Sequence, residues 1–377
     1  MTEKIVSIII PSRNNKSILL KTLNSLSHQT IPPEQYEVIV VDDGSTDGTE
    51  EAISQVNPPF ELRYYYQEFK GQSAASNLGI KKARGHFTLL TCSDIIAKEN
   101  LIEEHLRTHN RFKEDIVVLG YIPYSPEIKV TPFMEFLITD GPLFAYQLIE
   151  DKDDVPPLFL YAPNVSVKTK RLIEVGMFDE EFKYGGQDSD LGIRLRLRGL
   201  RMVYNEKAIG YHYHPTNVDA FCYRQKMAGK AAFLLASKHP KISSIYDLKN
   251  HVLKDYLGKG EIIERAFQIV HCLENMSQDY LYSLTIDSTV QGKIKVTVPL
   301  ITFLYKLITD YYFAEGINEE ISKVEGENWH YDFKYPWEIE GYFKQNEKLL
   351  KMLVEIQDRI ELTRERLGQT FCSLYQN

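Results

Sequence analysis

The stretch from Tyr36 to Thr49, YEVIVVDDGSTDGT, constrains the fold of this 377-residue chain more than any other. Val38, Ile39, Val40 and Val41 form an unbroken β-branched run, the pattern of a strand buried on both faces of a mostly parallel sheet. Asp42 and Asp43 end it abruptly, and Gly44, Ser45, Asp47 and Gly48 supply turn and helix-capping chemistry just beyond. In an open α/β sheet the carboxyl ends of the strands are where ligands bind. A single aspartate there serves the turn. Two in succession repel each other, which a fold tolerates more readily when a ligand's donors or a cation meet them.

The flanking segments repeat the arrangement. Ile5 to Ile10 reads as a first buried strand, broken by the polar loop Pro11-Ser12-Arg13-Asn14-Asn15. Ile18, Leu19, Thr22, Leu23 and Leu26 then recur at helical spacing, as in a βαβ crossover. A third strand is expected at Glu61 to Tyr66. The small, polar run from Gly71 to Gly79 leads into a helix through Ala83, where a close approach of backbone is affordable. His86 to Leu90 reads as a fourth strand, ending in Thr91-Cys92-Ser93-Asp94, again with a carboxylate at its carboxyl end. No GxGxxG follows the first strand and no GxxxxGK[ST] occurs, so dinucleotide and P-loop readings lose their specific support. A phosphate here is better held by a divalent cation on carboxylates than by a glycine-rich cradle.

Composition excludes further classes. A formal net charge of -8 argues against binding nucleic acid through a basic surface. Met1 to Lys4 run directly into the first strand, so no secretory leader is expected. The best candidate for a membrane span, Val296 to Ile308, is short and contains Lys306. Cys92, Cys222, Cys272 and Cys372 form no CxxC pair, which points to a reduced, cytoplasmic protein without a structural zinc site. Membrane association through a local patch stays open.

Further along, Phe133, Phe136, Phe144, Tyr146, Phe159 and Tyr161 make an aromatic, irregular region, readable as an acceptor-facing insertion or as core. Phe133, Met134, Phe136 and Leu137 suit a short helix, and Asp151 to Asp154 with Pro156 and Pro157 an exposed loop. Tyr161 to Val167 is a strand candidate and Lys170 to Val175 a short helix. Gly185-Gly186-Gln187-Asp188-Ser189-Asp190 opens an amphipathic helix, in which Asp188 and Asp190 can serve simply as first-turn acids. His212 and His214, at i and i+2 on an extended segment, point the same way and suit a shared site. Phe221 to Ala236 is expected to be helical, its Arg224, Lys226 and Lys230 forming a solvated basic face.

Ile5 to Asn15, VIVVDDGSTDGT, GQSAASNLGIKKARG and VGMFDEEFKYGGQDSDLGIRLRLRG, in this order and spacing, resemble the GT-A glycosyltransferases of family 2 over roughly the first 235 residues. The resemblance implies an α/β fold of GT-A type, Rossmann-like, with a mostly parallel sheet flanked by helices. It implies a nucleotide-diphosphate-sugar site, a UDP-sugar being the expected donor, built from Pro11, Ser12, Arg13, Asp42, Asp43, Ser76, Asn77, Cys92, Ser93, Asp94 and Gln187. Asp43 would contact the base or ribose. The family's metal-binding DxD falls on Cys92-Ser93-Asp94, so Asp94 would hold Mn²⁺ or Mg²⁺, with His212 as a further ligand and His214 in reserve. Asp188 matches the general base that acts on the acceptor. Three positions depart from the family: Cys92 replaces its first Asp, Ser76 an Arg, and Gln187 a Glu. Cys92 is expected to be a small buried core residue, and Arg13 or Lys70 to stand in for the lost Arg.

The reading is thus a metal-dependent, inverting glycosyltransferase, with an acceptor left open among polysaccharide, lipid-linked sugar and peptide. A non-catalytic nucleotide-sugar-binding or scaffolding protein is the alternative. The catalytic domain is expected over residues 1–240 and a helical extension over 241–377. In the extension Leu248, Val252, Leu253, Tyr256 and Leu257 form one apolar stripe, and Leu349, Leu353, Ile356, Ile360 and Leu367 another. Acceptor recognition, bracing or homodimerisation through these helices is the expected role.

Overall fold

Strands β1 (Val6–Ser12), β2 (Tyr36–Asp43), β3 (Glu61–Gln67) and β4 (Phe87–Thr91) lie parallel in the order β3-β2-β1-β4. Every residue of β2 is buried because helices cover both faces of the sheet. Ile8, Ile10, Val38 and Val40 pack with Leu19, Leu23 and Leu26 of α1 (Lys16–Leu26). Ile9, Ile39 and Val41, pointing the other way by strand alternation, pack with Ala75 and Ile80 of α3 (Gln72–Lys82). Between β2 and β3 lies α2 (Thr49–Ser54). The register sets Ser12 beside Asp42 and Asp43 beside Gln67, so the polar strand ends share one edge.

The computed structural model describes residues 4–139, 141, 143–240, 260–273, 285–290 and 294–323, divided between two units, Met1–Thr216 and Asn217–Asn377. In the first unit the sheet continues beyond β4 through β7 (Asn164–Lys168), β6 (Ile116–Tyr121), β8 (Arg201–His212) and β5 (Ile95–Ala97). β7 runs antiparallel to both β4 and β6, β8 is parallel to β6, and β5 is antiparallel to β8. Helices α4 (Leu101–Arg111), α5 (Pro132–Thr139), α6 (Thr169–Glu174) and α7 (Gln187–Leu197) complete the unit. The expected strands at 5–10, 61–66 and 86–90 and the helices at 71–83, 170–175 and in the 133–137 region are present within a few residues. β5, β6 and most of β8 carried no expectation.

The aromatic region is core, the second of its two readings. Phe133, Phe136 and Phe144 are buried. Phe144 meets Tyr161 edge-on at 5.1 Å, and Tyr146 packs on Tyr161 and Tyr204. Ring edges seek ring faces in this way when no solvent competes.

The second unit contains α8 (Val218–Lys238), α9 (Gly260–Leu273), the antiparallel ribbon β9 (Thr285–Val290) with β10 (Ile294–Pro299), and α10 (Leu300–Lys323). Helix α8, which the sequence places in the first domain, groups with this unit because it packs along α10. Gly229 lies against the Phe313 carbonyl and Gly316 against that of Lys226, an approach that a Cβ on either glycine would block. Lys226 and Lys230 form ion pairs with Glu315 and Glu319 across the same contact. The expected solvated basic face is therefore partly a helix-helix seam. Among the described residues no helix is long and apolar enough to cross a membrane. The stripes at Leu248 to Leu257 and Leu349 to Leu367 lie outside the described residues.

Candidate active site

The two aspartates that end β2 separate onto opposite sides of the strand. Asp42 accepts from Ser45 N at 2.8 Å and Tyr64 Oη at 2.7 Å, fixing the turn that follows. Asp43 Oδ1 accepts from Gln67 Nε2 and Lys70 N, and its Oδ2 from Gly71 N at 2.9 Å. Their mutual repulsion is met largely by the protein's own donors, where the sequence favoured a ligand's donors or a cation. An ionised carboxylate has about four acceptor positions, so one on Asp43 Oδ2 is unused.

A cleft of about 380 Å³ opens at this edge. Its lining includes Pro11, Ser12 and Arg13 at the end of β1, Asp43 at the end of β2, and Cys92, Ser93 and Asp94 just after β4. These seven expected residues come together because β1, β2 and β4 are parallel neighbours. Ser12 Oγ is buried with no hydrogen-bond partner, an orphaned group facing a ligand-sized space. Cys92 is half-buried and lines the cleft, accepting from Gln72 Nε2 at 3.4 Å, which corrects its assignment to the core. Phe69, Gly71, Gln72, Lys183 and Tyr184 complete the lining. Phe69 carries the Arg13 guanidinium over its ring at 3.8 Å, a cation-π contact. None of these five was expected at the site, although the polar run at Gly71 and the Lys183-Tyr184-Gly185-Gly186 turn were both visible in the sequence.

Beside the cleft, β5 pairs with the end of β8. Ile95 stands opposite His212, and Tyr213 N donates to the Asp94 carbonyl at 2.8 Å. This pairing brings Asp94 Oδ2 to 3.7 Å from His212 Nε2 and 3.4 Å from His214 Nδ1. The imidazoles stack at 5.2 Å with planes 9° apart. Burial alone would raise the Asp94 carboxyl, but the two imidazoles outweigh it and hold the group well below the usual carboxylate range. One ligand atom from each of the three residues lies within 4.8 Å of the others. The Asp94 distances exceed those of tight N–H···O bonds. Ligand atoms converging without closing on one another suit a divalent cation. His214, the reserve choice, stands with His212 in this set.

The remaining expected residues do not line the cleft. Asn77 is buried, donating to Phe178 O and Glu180 Oε1 and accepting from Phe178 N, all at 2.9 Å. It fastens the 178–182 segment to α3, and Ser76 is buried beside it. Asp190 is buried against Arg194, which also donates to the Val175 carbonyl, so its role is an ion pair within α7. Asp188, one position into the helix, is half-buried, and its Oδ2 accepts from Ala162 N at 3.0 Å. The N-cap is Gly186 in the left-handed region, so neither aspartate is the cap. Gln187 Oε1 next to it is buried and unpartnered.

Residues 7–165 match the family model described as glycosyl transferase family 2. Validoxylamine A glucosyltransferase from Streptomyces hygroscopicus subsp. limoneus is 29% identical over 230 residues, 55% of this chain and 51% of that protein. The uncharacterized glycosyltransferase YfnE of Bacillus subtilis is 30% identical over 258 residues, 56% of this chain and 65% of that protein. Chondroitin synthase from Escherichia coli is 27% identical over 241 residues, 56% of this chain and 35% of its own length. This chain thus spans about a third to two thirds of these relatives. Among solved structures, the mannosyltransferase PcManGT from Pyrobaculum calidifontis, in complex with GDP-Man and Mn²⁺, superposes with a TM-score of 0.50 at 18% identity, covering 64% of this chain and 65% of that one. Residues 7–165 are thus a glycosyl transferase family 2 segment, within an amino-terminal unit that has the GT-A fold.

Proposed function

We propose that this protein transfers a sugar, with inversion, from a nucleoside-diphosphate donor to an acceptor nucleophile. The convergence of Asp94, His212 and His214 beside the cleft carries the reading. A divalent cation held there supplies Lewis-acid stabilisation of the departing diphosphate. Asp43 offers its remaining Oδ2 acceptor position to a base or ribose donor, and Ser12 its orphaned hydroxyl. The donor class extends to this cleft what the mannosyltransferase neighbour holds.

Asp188 is the general base in this reading. Ala162 N engages one of its oxygens and fixes the carboxylate's direction. The acceptor hydroxyl loses its proton to Asp188 as its oxygen attacks the anomeric carbon, and the bond to the diphosphate breaks on the opposite face. Asp190, spent on Arg194, is the internal control.

The test begins with nucleotide-sugar hydrolysis assayed with Mn²⁺ and with Mg²⁺, which identifies the donor without knowledge of the acceptor. Asp188→Asn should then lower turnover by about 10² to 10⁴ with donor affinity close to wild type. Asp190→Asn should leave turnover within a few-fold and cost about 1–3 kcal/mol of stability by weakening a buried charge-assisted bond. Near-normal turnover in Asp188→Asn would falsify the base assignment. Donor binding without turnover under any metal would favour a non-catalytic binder.

A further inference from the structure

Lys183 and Tyr184 enter the cleft from a segment secured on both sides. Before them, Phe182 is buried with its carbonyl accepting from Ser73 Oγ at 3.3 Å, and Asn77 holds Phe178 and Glu180 against α3. After them, Gly185 and Gly186 have φ of 93° and 77°, a turn that side-chain-bearing residues rarely adopt, and α7 begins. The chain thus presents two residues to the cleft between a clamped base and a glycine turn.

Two cationic side chains line this cleft, Arg13 and Lys183, together with the carboxylates of Asp43 and Asp94. The Arg13 guanidinium lies on Phe69. Lys183 is exposed and forms no ion pair among the described residues. Lys152, Lys168 and Lys226, by contrast, each pair with a carboxylate. A lysine left unpaired at the wall of a ligand-sized cleft is a docking point for an anion.

We propose that Lys183 binds the distal phosphate of the donor's diphosphate, a role that rests on the nucleotide-sugar reading of the cleft. A nucleoside diphosphate carries more negative charge than one divalent cation neutralises, and Asp94 adds a further negative charge nearby. The Lys183 ammonium offsets the remainder. On transfer, the bond from the anomeric carbon to the phosphate oxygen breaks and its electron pair stays on that oxygen. The acceptor oxygen forms the new bond to carbon, and its proton goes to Asp188. Lys183 keeps its protons and stabilises the charge on the departing oxygen through a charge-assisted hydrogen bond.

Titration calorimetry of the full chain with Mn²⁺ and UDP, GDP, UMP or GMP tests this. Lys183→Gln should weaken the diphosphate that wild type binds by about tenfold or more, the scale of a hydrogen bond to a charged group. The matching monophosphate should change by less than about twofold, and Lys183→Arg should retain diphosphate affinity, because the charge is kept. Equal diphosphate affinity in wild type and Lys183→Gln overturns the assignment, as does an equal loss for the monophosphate. Either result leaves the donor reading intact. Failure of wild type to bind either diphosphate overturns both.

Discussion

Two histidine pairs in the first unit have opposite fates. His105 and His109 are one helical turn apart on α4, a spacing that itself suits a shared metal. Both are buried on β7 instead. Asn164 Nδ2 donates to the carbonyls of Tyr121 and Ala208, so its Oδ1 faces His105 Nε2, at 2.8 Å. His105 Nδ1 then accepts from Ser166 Oγ at 2.8 Å, and that oxygen accepts from His109 Nε2 at 2.9 Å. Each contact is satisfied by a neutral ring. Burial pushes His105 down to about 4, and burial, with His105 nearby, pushes His109 down to about 3. His212 and His214 turn their nitrogens toward a carboxylate beside a cleft. The residue type and close spacing are shared; what differs is whether the neighbours already complete the ring's hydrogen bonding.

The largest effect expected from this contrast is at Asp94. Asp94→Ala should weaken Mn²⁺ binding by more than about 10²-fold, since even supporting residues around a metal are worth about 10–100-fold. Mn²⁺ titration followed by electron paramagnetic resonance reads this directly. Unchanged affinity would remove the distinction between the pairs.

Acid stability tests the other pair. The folded-state pKa values of His105 and His109 lie below the ordinary value of 6.5. The unfolded chain therefore takes up protons first, and the stability of the neutral rings, complete above pH 6.5, is lost as pH falls toward about 4. Each site should contribute a slope of about 1.4 kcal/mol per pH unit within that window. Urea unfolding between pH 7 and 4.5 measures it. His109→Phe, which keeps a ring stacked on Phe87 at 4.3 Å, should flatten the slope by one site. An unchanged slope would mean that His109 does not titrate on unfolding.

The smallest effect is at the more exposed member of the metal set. His214→Ala should lower Mn²⁺ affinity by about tenfold and narrow the preference for Mn²⁺ over Mg²⁺, as one imidazole is exchanged for water. Competition of the two ions, read by the same resonance signal, distinguishes this from a purely structural role, which would leave the preference unaltered.

Much of the parallel half of the sheet was legible because its signal is local. The β-branched run of β2, the polar strand ends and the helical spacing from Ile18 to Leu26 each state their environment within a few residues. Family resemblance gave Asp94, Asp188 and His212 their expected roles, and of these Asp94 and His212 converge beside the cleft. β6 and β8 were missed because their partners lie far away in sequence, with Val117 beside Met202 in one pairing and Val167 in the other. Phe69, Lys183 and Tyr184 escaped for the same reason: nothing near them in sequence shows that they face the cleft.

The sequence alone determined that acidic residues would end parallel strands at a common edge, since strand burial and turn chemistry are properties of adjacent residues. Only the tertiary structure decided what each acid does there. Asp42 and Asp43 meet the donors of Tyr64, Gln67 and three backbone amides, and Asp190 meets Arg194. Asp94 meets two imidazoles that β8 delivers from more than a hundred residues away. A carboxylate's role follows from the donors within about 3–4 Å of it, and chain topology selects those donors.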